Sequence, residues 1–354
     1  MAAVRSIPPE ILGLIIEDYA DDRKTLFSCS LVSKPWLQST RYHLFGNLNL
    51  ILASAAYGYE ATFFTLLRHP LCTFSTSVRK IWVHPAYDTQ LNNIAQLGQL
   101  TSVRTLRIDC QRTISPLIMT TLSAAFKDIT TLAMTIRFPS LSDAIQFMCS
   151  FTLLEEVLFE PVRTPGDFPS ADIQMPSKLR SIHLHTLRSY ERWFADNRVS
   201  TLSTLSVEAI RPLDDVARLD EMLEIFGISL RHLTLRFESQ KGVSDLQINL
   251  AHTTQLRYLE IDLSRLTRRH VVDALGHLRA PHLETFVWRS RRAFDLPAEL
   301  WSNLDTLLAN RDVLPALNSF RIMAPMPSKA TFNPRFYMPM CDALGILSGE
   351  DIHV

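Results

Sequence analysis

His183 and His185 lie one residue apart in a stretch that alternates apolar and polar side chains, so on a strand both imidazoles point to one face. Two imidazoles hold a metal only with further ligands, and no acid or cysteine stands close to them in the sequence. They therefore read as exposed strand histidines, and His277 and His282 are no better supported. The acidic pairs Asp21-Asp22, Glu155-Glu156 and Asp214-Asp215 are sequence neighbours, which point apart on a helix or strand instead of flanking one bond. They read as solvated or capping charges. Arg268-Arg269, Arg289 and Arg291-Arg292 form a local basic cluster suited to an acidic or phosphorylated peptide, although an ordinary surface cluster is the simpler reading. The zinc-protease pattern H-E-x-x-H, the serine-hydrolase elbow G-x-S-x-G and every G-x-G are missing, so no motif supplies hydrolytic or nucleotide chemistry. The expectation is a non-catalytic protein without cofactor or metal.

The bulk properties point the same way. The chain has 354 residues, with 36 Lys plus Arg balanced by 36 Asp plus Glu. Zero net charge leaves no global field for polyphosphate, so nucleic-acid binding is not expected. With 47% hydrophobic residues the chain has enough apolar surface to fold. Five cysteines, widely spread and never spaced C-x-x-C, read as reduced intracellular thiols. Arg5, Pro8, Pro9 and Glu10 interrupt what a secretory leader would need, and the longest uncharged run, Tyr42 to Tyr59, contains His43, Asn47, Asn49 and Ser54. No membrane association is expected.

The first fifty residues carry the most specific pattern. Pro8-Pro9-Glu10 is a helix start, with prolines tolerated in the first turn and an acid near the positive end of the helix dipole. Ile11, Leu12, Ile15, Ile16 and Tyr19 then fall on one stripe, which predicts a buried face. Leu26, Phe27, Ser30 and Leu31 suggest a second short helix, and Ser33-Lys34-Pro35 the start of a third containing Trp36, Leu37 and Leu44. Three helices this short have a marginal core and gain from a partner surface.

This run, Ile7-Pro8-Pro9-Glu10-Ile11-Leu12, Leu26, Cys29-Ser30-Leu31-Val32-Ser33, Trp36 and Arg41-Tyr42-His43-Leu44-Phe45, resembles an F-box of the kind common in fungi. The resemblance implies docking onto the Skp adaptor of an SCF-type ubiquitin ligase and, through it, onto a cullin. On the residues that match, it assigns the adaptor contact to Pro8, Pro9, Ile11, Leu12, Ile15, Leu26, Leu31, Val32 and Trp36. The competing reading is that these side chains only pack against the rest of the chain.

Beyond residue 76 the pattern apolar-x-x-apolar-x-apolar recurs, from Val78/Ile81/Val83 and Val103/Leu106/Ile108 to Leu283/Phe286/Trp288 and Leu317/Phe320/Ile322. The first eight units repeat at about 25 residues, within the ~20–29 of leucine-rich repeats, which the array resembles in a degenerate form. Segments with helical spacing or length lie between, among them Leu117–Phe126, Tyr190–Asn197, Val216–Phe226, Val271–Leu278 and Leu300–Leu308. The expected fold is α/β: a three-helix F-box at 5–48, a connecting helical segment at 49–75, a solenoid of about ten strand-helix units at 76–325, and a C-terminal cap or tail at 326–354. Residues 163–178, with three prolines and a glycine, read as an extended connection.

If the apolar triplets face the core, the intervening side chains line a concave binding face. Its central row is Trp82, Arg107, Ala133, Leu158, His183, Ser206, Thr234, Glu260, Val287 and Arg321, of which Trp82, Arg107, Leu158, His183, Thr234, Glu260 and Arg321 are the candidate substrate contacts. The row mixes charge signs and apolar groups, a composition suited to a protein surface. The expected function is substrate recognition for an SCF-type ligase in cytoplasm, nucleus or both, with the substrate unidentified; the alternative is a non-ligase interaction scaffold.

Overall fold

A computed structural model describes residues 7–52, 58–85, 91–160, 173–187, 201–211, 215–238, 250–262, 264, 280–289, 298–323 and 333–347. It falls into two compact units, one running through Leu154 and the other from Glu155 onward.

The first unit opens with α1 (Pro9–Glu17), α2 (Arg23–Ser30) and α3 (Lys34–Phe45). Prolines stand in the first turns of α1 and α3, and the Asp22 carboxylate caps α2 by accepting from the Lys24 and Thr25 amides at 3.0 and 3.1 Å. Ser33 occupies the cap position of α3 without bonding through its side chain. Leu12, Ile16, Leu26 and Leu44 form the shared interior, with Cys29, Trp36 and Phe45 packed on it. Phe45 also stacks on Phe74, with ring centroids 5.2 Å apart, and so ties α3 to the chain leading into the repeats.

Four parallel strands come next in this unit: β1 (Asn47–Leu52), β2 (Lys80–Pro85), β3 (Thr105–Thr113) and β4 (Thr131–Arg137). Helices α4 (Gly58–Arg68), α5 (Leu91–Gln96), α6 (Pro116–Ala125) and α7 (Leu141–Cys149) accompany them. Ser115 and Ser140 cap α6 and α7 through their hydroxyls. The segment expected to be a helical connection therefore begins with a strand. Phe45, Leu48 and Leu50 obey the same triplet spacing as later units, but Phe45 is also the last residue of α3. Gly46 permits the join: a Cβ there would lie 2.5 Å from the Tyr42 carbonyl oxygen.

The second unit holds seven parallel strands in chain order: β5 (Glu156–Phe159), β6 (Ser181–Leu184), β7 (Thr204–Ile210), β8 (His232–Phe237), β9 (Tyr258–Asp262), β10 (Thr285–Arg289) and β11 (Ser319–Met323). Its described helices are α8 (Val216–Phe226), α9 (Ala298–Ala309), α10 (Pro334–Tyr337) and α11 (Pro339–Ala343). The expected helices at 190–197 and 271–278 lie outside the described residues. Of the expected connection, residues 173–178 carry neither helix nor strand, and the rest lies outside the description.

The triplet residues build the core. Val78, Val103, Ile129, Leu154, Leu179, Leu202, Leu230, Leu256, Leu283 and Leu317 are buried, as are both inward residues of each strand from β2 to β10. Burial of one such side chain stabilises by ~1.5–3 kcal/mol, so the stacked rows dominate the energetics. At the strand entrances one carbonyl accepts from two successive amides of the next repeat: Arg79 from Arg104 and Thr105, Arg180 from Ser203 and Thr204, Arg231 from Arg257 and Tyr258. This recurring bond fixes the register that sets side chains of successive repeats side by side.

The C-terminal residues act as a cap. Met338, Cys341 and Ile346 are buried, Leu347 bridges to Phe320, and the buried Asp305 carboxylate of α9 accepts from the Met340 and Cys341 amides at 2.9 and 2.8 Å.

Candidate protein-binding surfaces

This architecture presents two surfaces. The first is the outer side of the N-terminal helices. Residues 12 and 16 are one helical turn apart and face the interior, leaving Ile11 at 49% and Leu14 at 61% exposure on other faces of α1. The turn after α2 presents Leu31 at 86% and Val32 at 64%. Pro8 is exposed, Ile15 half-buried, and Pro9 starts α1. The apolar stripe expected to be buried is thus split, because three short helices cover only one side of it. Leu12 at 2% and Leu26 at 0% are interior residues, not contact residues, and Trp36 is half-buried against the same cluster. Ile7 and Leu14, which lie outside the assigned contact set, are exposed instead.

The second surface is the open face of the parallel strands, described for each unit separately. In the first unit Asn49, Trp82, Arg107 and Ala133 stand in register; in the second the row is Leu158, His183, Ser206, Thr234, Glu260, Val287 and Arg321. Adjacent members are separated by the ~4.8 Å strand spacing. Arg107, Leu158 and Arg321 are exposed, and Trp82, His183 and Thr234 half-buried. Glu260, Ser206 and Val287 are buried, so part of the row expected to face solvent does not. In the first unit the Arg107 guanidinium lies 4.0 Å from the centroid of the Trp82 ring, and the His84 ring sits 4.7 Å from the same indole.

At the C-terminal ends of the second unit's strands, Glu160, His185, Glu208, Arg236, Asp262 and Arg289 alternate in character from strand to strand. Their side chains pair across the sheet. His185 Nδ1 is 3.8 Å from Glu208 Oε2, and Arg236 Nη1 donates to Glu208 Oε1 at 3.2 Å. Arg236 Nη2 lies 3.8 Å from Glu260 Oε1, which also accepts from Arg289 Nε, while Tyr258 donates its phenolic hydrogen to Glu260 Oε2 at 2.8 Å. Burial, then that bond, pushes the Tyr258 hydroxyl up to about 12. A bulge sets Glu208 and Ala209 of β7 opposite Arg236 alone of β8, beside a cavity of about 280 Å³ lined by His185, Glu208, Arg236, Phe237, Glu238 and Asp262 among others.

The histidines do have acid neighbours, contrary to the sequence expectation. Glu156 Oε1 is 3.4 Å from His183 Nε2, because parallel pairing brings in a residue from the preceding repeat. Among the described residues no group of three or more His, Cys, Asp or Glu could hold a metal ion. Asp215, expected to be solvated or capping, is buried; it lies 3.4 Å from Arg211 Nε and 3.6 Å from Arg218 Nη1. Of the basic cluster near the last repeats only Arg289 is described, and it is committed to Glu260. All five cysteines are free thiols. Burial pushes the Cys149 thiol up to about 12, and burial with a hydrogen bond to Asp305 raises Cys341. Neither suits a nucleophile, which must be a thiolate. No described helix is long and apolar enough to cross a membrane.

No protein-family profile matches the chain, and no curated protein matches it. Among solved structures, a Bacteroides fragilis protein, a structural-genomics target, aligns over 80% of this chain and 75% of its own with 13% identity and a TM-score of 0.41. A likeness this slight carries no argument.

Proposed function

We propose that the protein is a substrate-recognition subunit of an SCF-type ubiquitin ligase, with the N-terminal helices docking to the Skp adaptor and the open strand face holding a protein substrate. The observation that carries this reading is the divided apolar surface of the helical unit. It closes a small core with Leu12, Ile16, Leu26 and Leu44, yet leaves Ile11, Leu14, Leu31 and Val32 in water. Apolar groups held in that way on a preformed helical scaffold suit a helix-lined partner groove. The in-register strand rows supply a second, chemically mixed surface on which a substrate can be held.

The mechanism under this reading is proximity. One surface binds the ligase scaffold and the other the substrate, so a substrate lysine experiences a high effective concentration of the recruited conjugating enzyme. The bond-forming chemistry belongs to the partners, and the protein works in the cytoplasm, the nucleus or both. The test is co-expression with a Skp adaptor and a cullin, comparing wild type with an Ile11→Asp, Leu31→Asp double variant. Recovery of adaptor and cullin with wild type alone supports the reading. Adaptor without cullin favours a non-ligase scaffold, and adaptor with neither protein sinks the docking assignment.

A further inference from the structure

The even overall charge hides a difference between the two strand faces. In the second unit the strands carry Glu156, Glu208, Glu260 and Asp262 against Arg236, Arg289 and Arg321, and Glu208 and Glu260 neutralise Arg236 and Arg289. On the open face of the first unit's strands Lys80, Arg107 and Arg137 stand against Asp109, three cations to one carboxylate. Lys80, Trp82, His84, Arg107 and Arg137 share the open face, since Ile81, Val83, Leu106, Ile108, Leu132, Met134 and Ile136 between them are buried. Arg107 meets no carboxylate there within ion-pair distance among the described residues; its contact is the face of Trp82 at 4.0 Å.

We infer that the first unit's strand face binds an acidic segment of a protein partner, with Arg107 as its anchor. Stacking on Trp82 holds the guanidinium plane in place while leaving its N–H edge to receive a carboxylate in bidentate fashion. Such a stacked Arg-Trp pair is the composition of an interface hot spot. A nucleic acid fits less well, because Arg107 and His84 already cover the indole on which a base would stack, and Asp109 interrupts the basic surface. The inference deepens the substrate-face reading and is independent of adaptor docking.

The test is fluorescence anisotropy on the full chain with three probes: a labelled peptide carrying eight glutamates, its glutamine counterpart, and a single-stranded oligonucleotide of equal charge. The glutamate peptide is expected to bind best and to weaken with salt. Arg107→Gln should weaken it ~10-fold or more, the magnitude of a modest hot spot, and Arg107→Lys should restore only part because an ammonium lacks the fork. Lys178→Gln, which removes an exposed cation of the second unit that lies outside its strands, should change nothing. Equal binding of the glutamine peptide, tighter binding of the oligonucleotide, no binding of any probe, or indifference to Arg107→Gln would each overturn the inference. Adaptor co-purification of Arg107→Gln, expected to match wild type, reports separately on the docking reading.

Discussion

Arg289 Nε on β10 lies 2.5 Å from Oε1 of Glu260 on β9, so a nearly buried carboxylate joins two repeats of the second unit. The same carboxylate holds Tyr258 through its other oxygen and draws Arg236 from β8. A single buried acid thus joins three adjacent strands.

Replacement of Glu260 by alanine leaves two guanidinium groups and a phenol without their shared acceptor. Breaking a buried pair costs ~3–5 kcal/mol, but both arginines are more than a third exposed and can turn to water, so the expected loss is about 2 kcal/mol. Urea denaturation of Glu260→Ala beside wild type measures it. A loss within experimental error would mean that the network contributes no net stability.

Tyr258 gives a pH signature. Its folded-state pKa, about 12, lies above the ~10 of a free phenol, so its contribution to stability is full below pH 10 and disappears as pH rises through 12. The tyrosinate absorbance difference between wild type and Tyr258→Phe should appear near pH 12. A difference centred at 10 would place the phenol in water, unbonded to Glu260.

Asp305 controls the C-terminal cap. Its carboxylate satisfies two amides at the start of α11, and hydrogen bonds to charged groups contribute ~1.5–3 kcal/mol each, so Asp305→Ala should destabilise by about 3 kcal/mol or more. Hydrogen exchange should rise first across residues 338–347. Unchanged protection there, with global destabilisation, would locate the role of Asp305 in α9 alone.

The thiols should divide by pKa. At pH 8 the half-buried Cys149 and the buried Cys341 are both held protonated, so iodoacetamide should label them slowly in the native protein and rapidly only after denaturation. Rapid labelling of Cys149 in the native protein would contradict its raised pKa.

Strand positions from β2 to β11 were legible because each buried triplet repeats with one spacing, and α8 begins and ends where its apolar period does. β1 escaped because Phe45 serves both a helix and a triplet. Partners brought together by strand register were also out of reach: nothing in the sequence joins Glu156 to His183, or Glu260 to Arg289 29 residues away. On α1 the apolar period was visible, but which of Ile11 and Leu12 faces inward depends on where α2 and α3 pack.

That last distinction provides the most direct test of the account. Ile11→Asp and Leu12→Asp place the same charge on adjacent residues, one 49% exposed and the other 2%. Folding of each variant is monitored by hydrogen exchange of residues 9–45, and adaptor binding by co-purification. Ile11→Asp is expected to keep native protection and lose the adaptor, while Leu12→Asp loses protection throughout the three helices by burying an unpaired charge. Full adaptor binding by a folded Ile11→Asp protein would contradict the proposed docking surface.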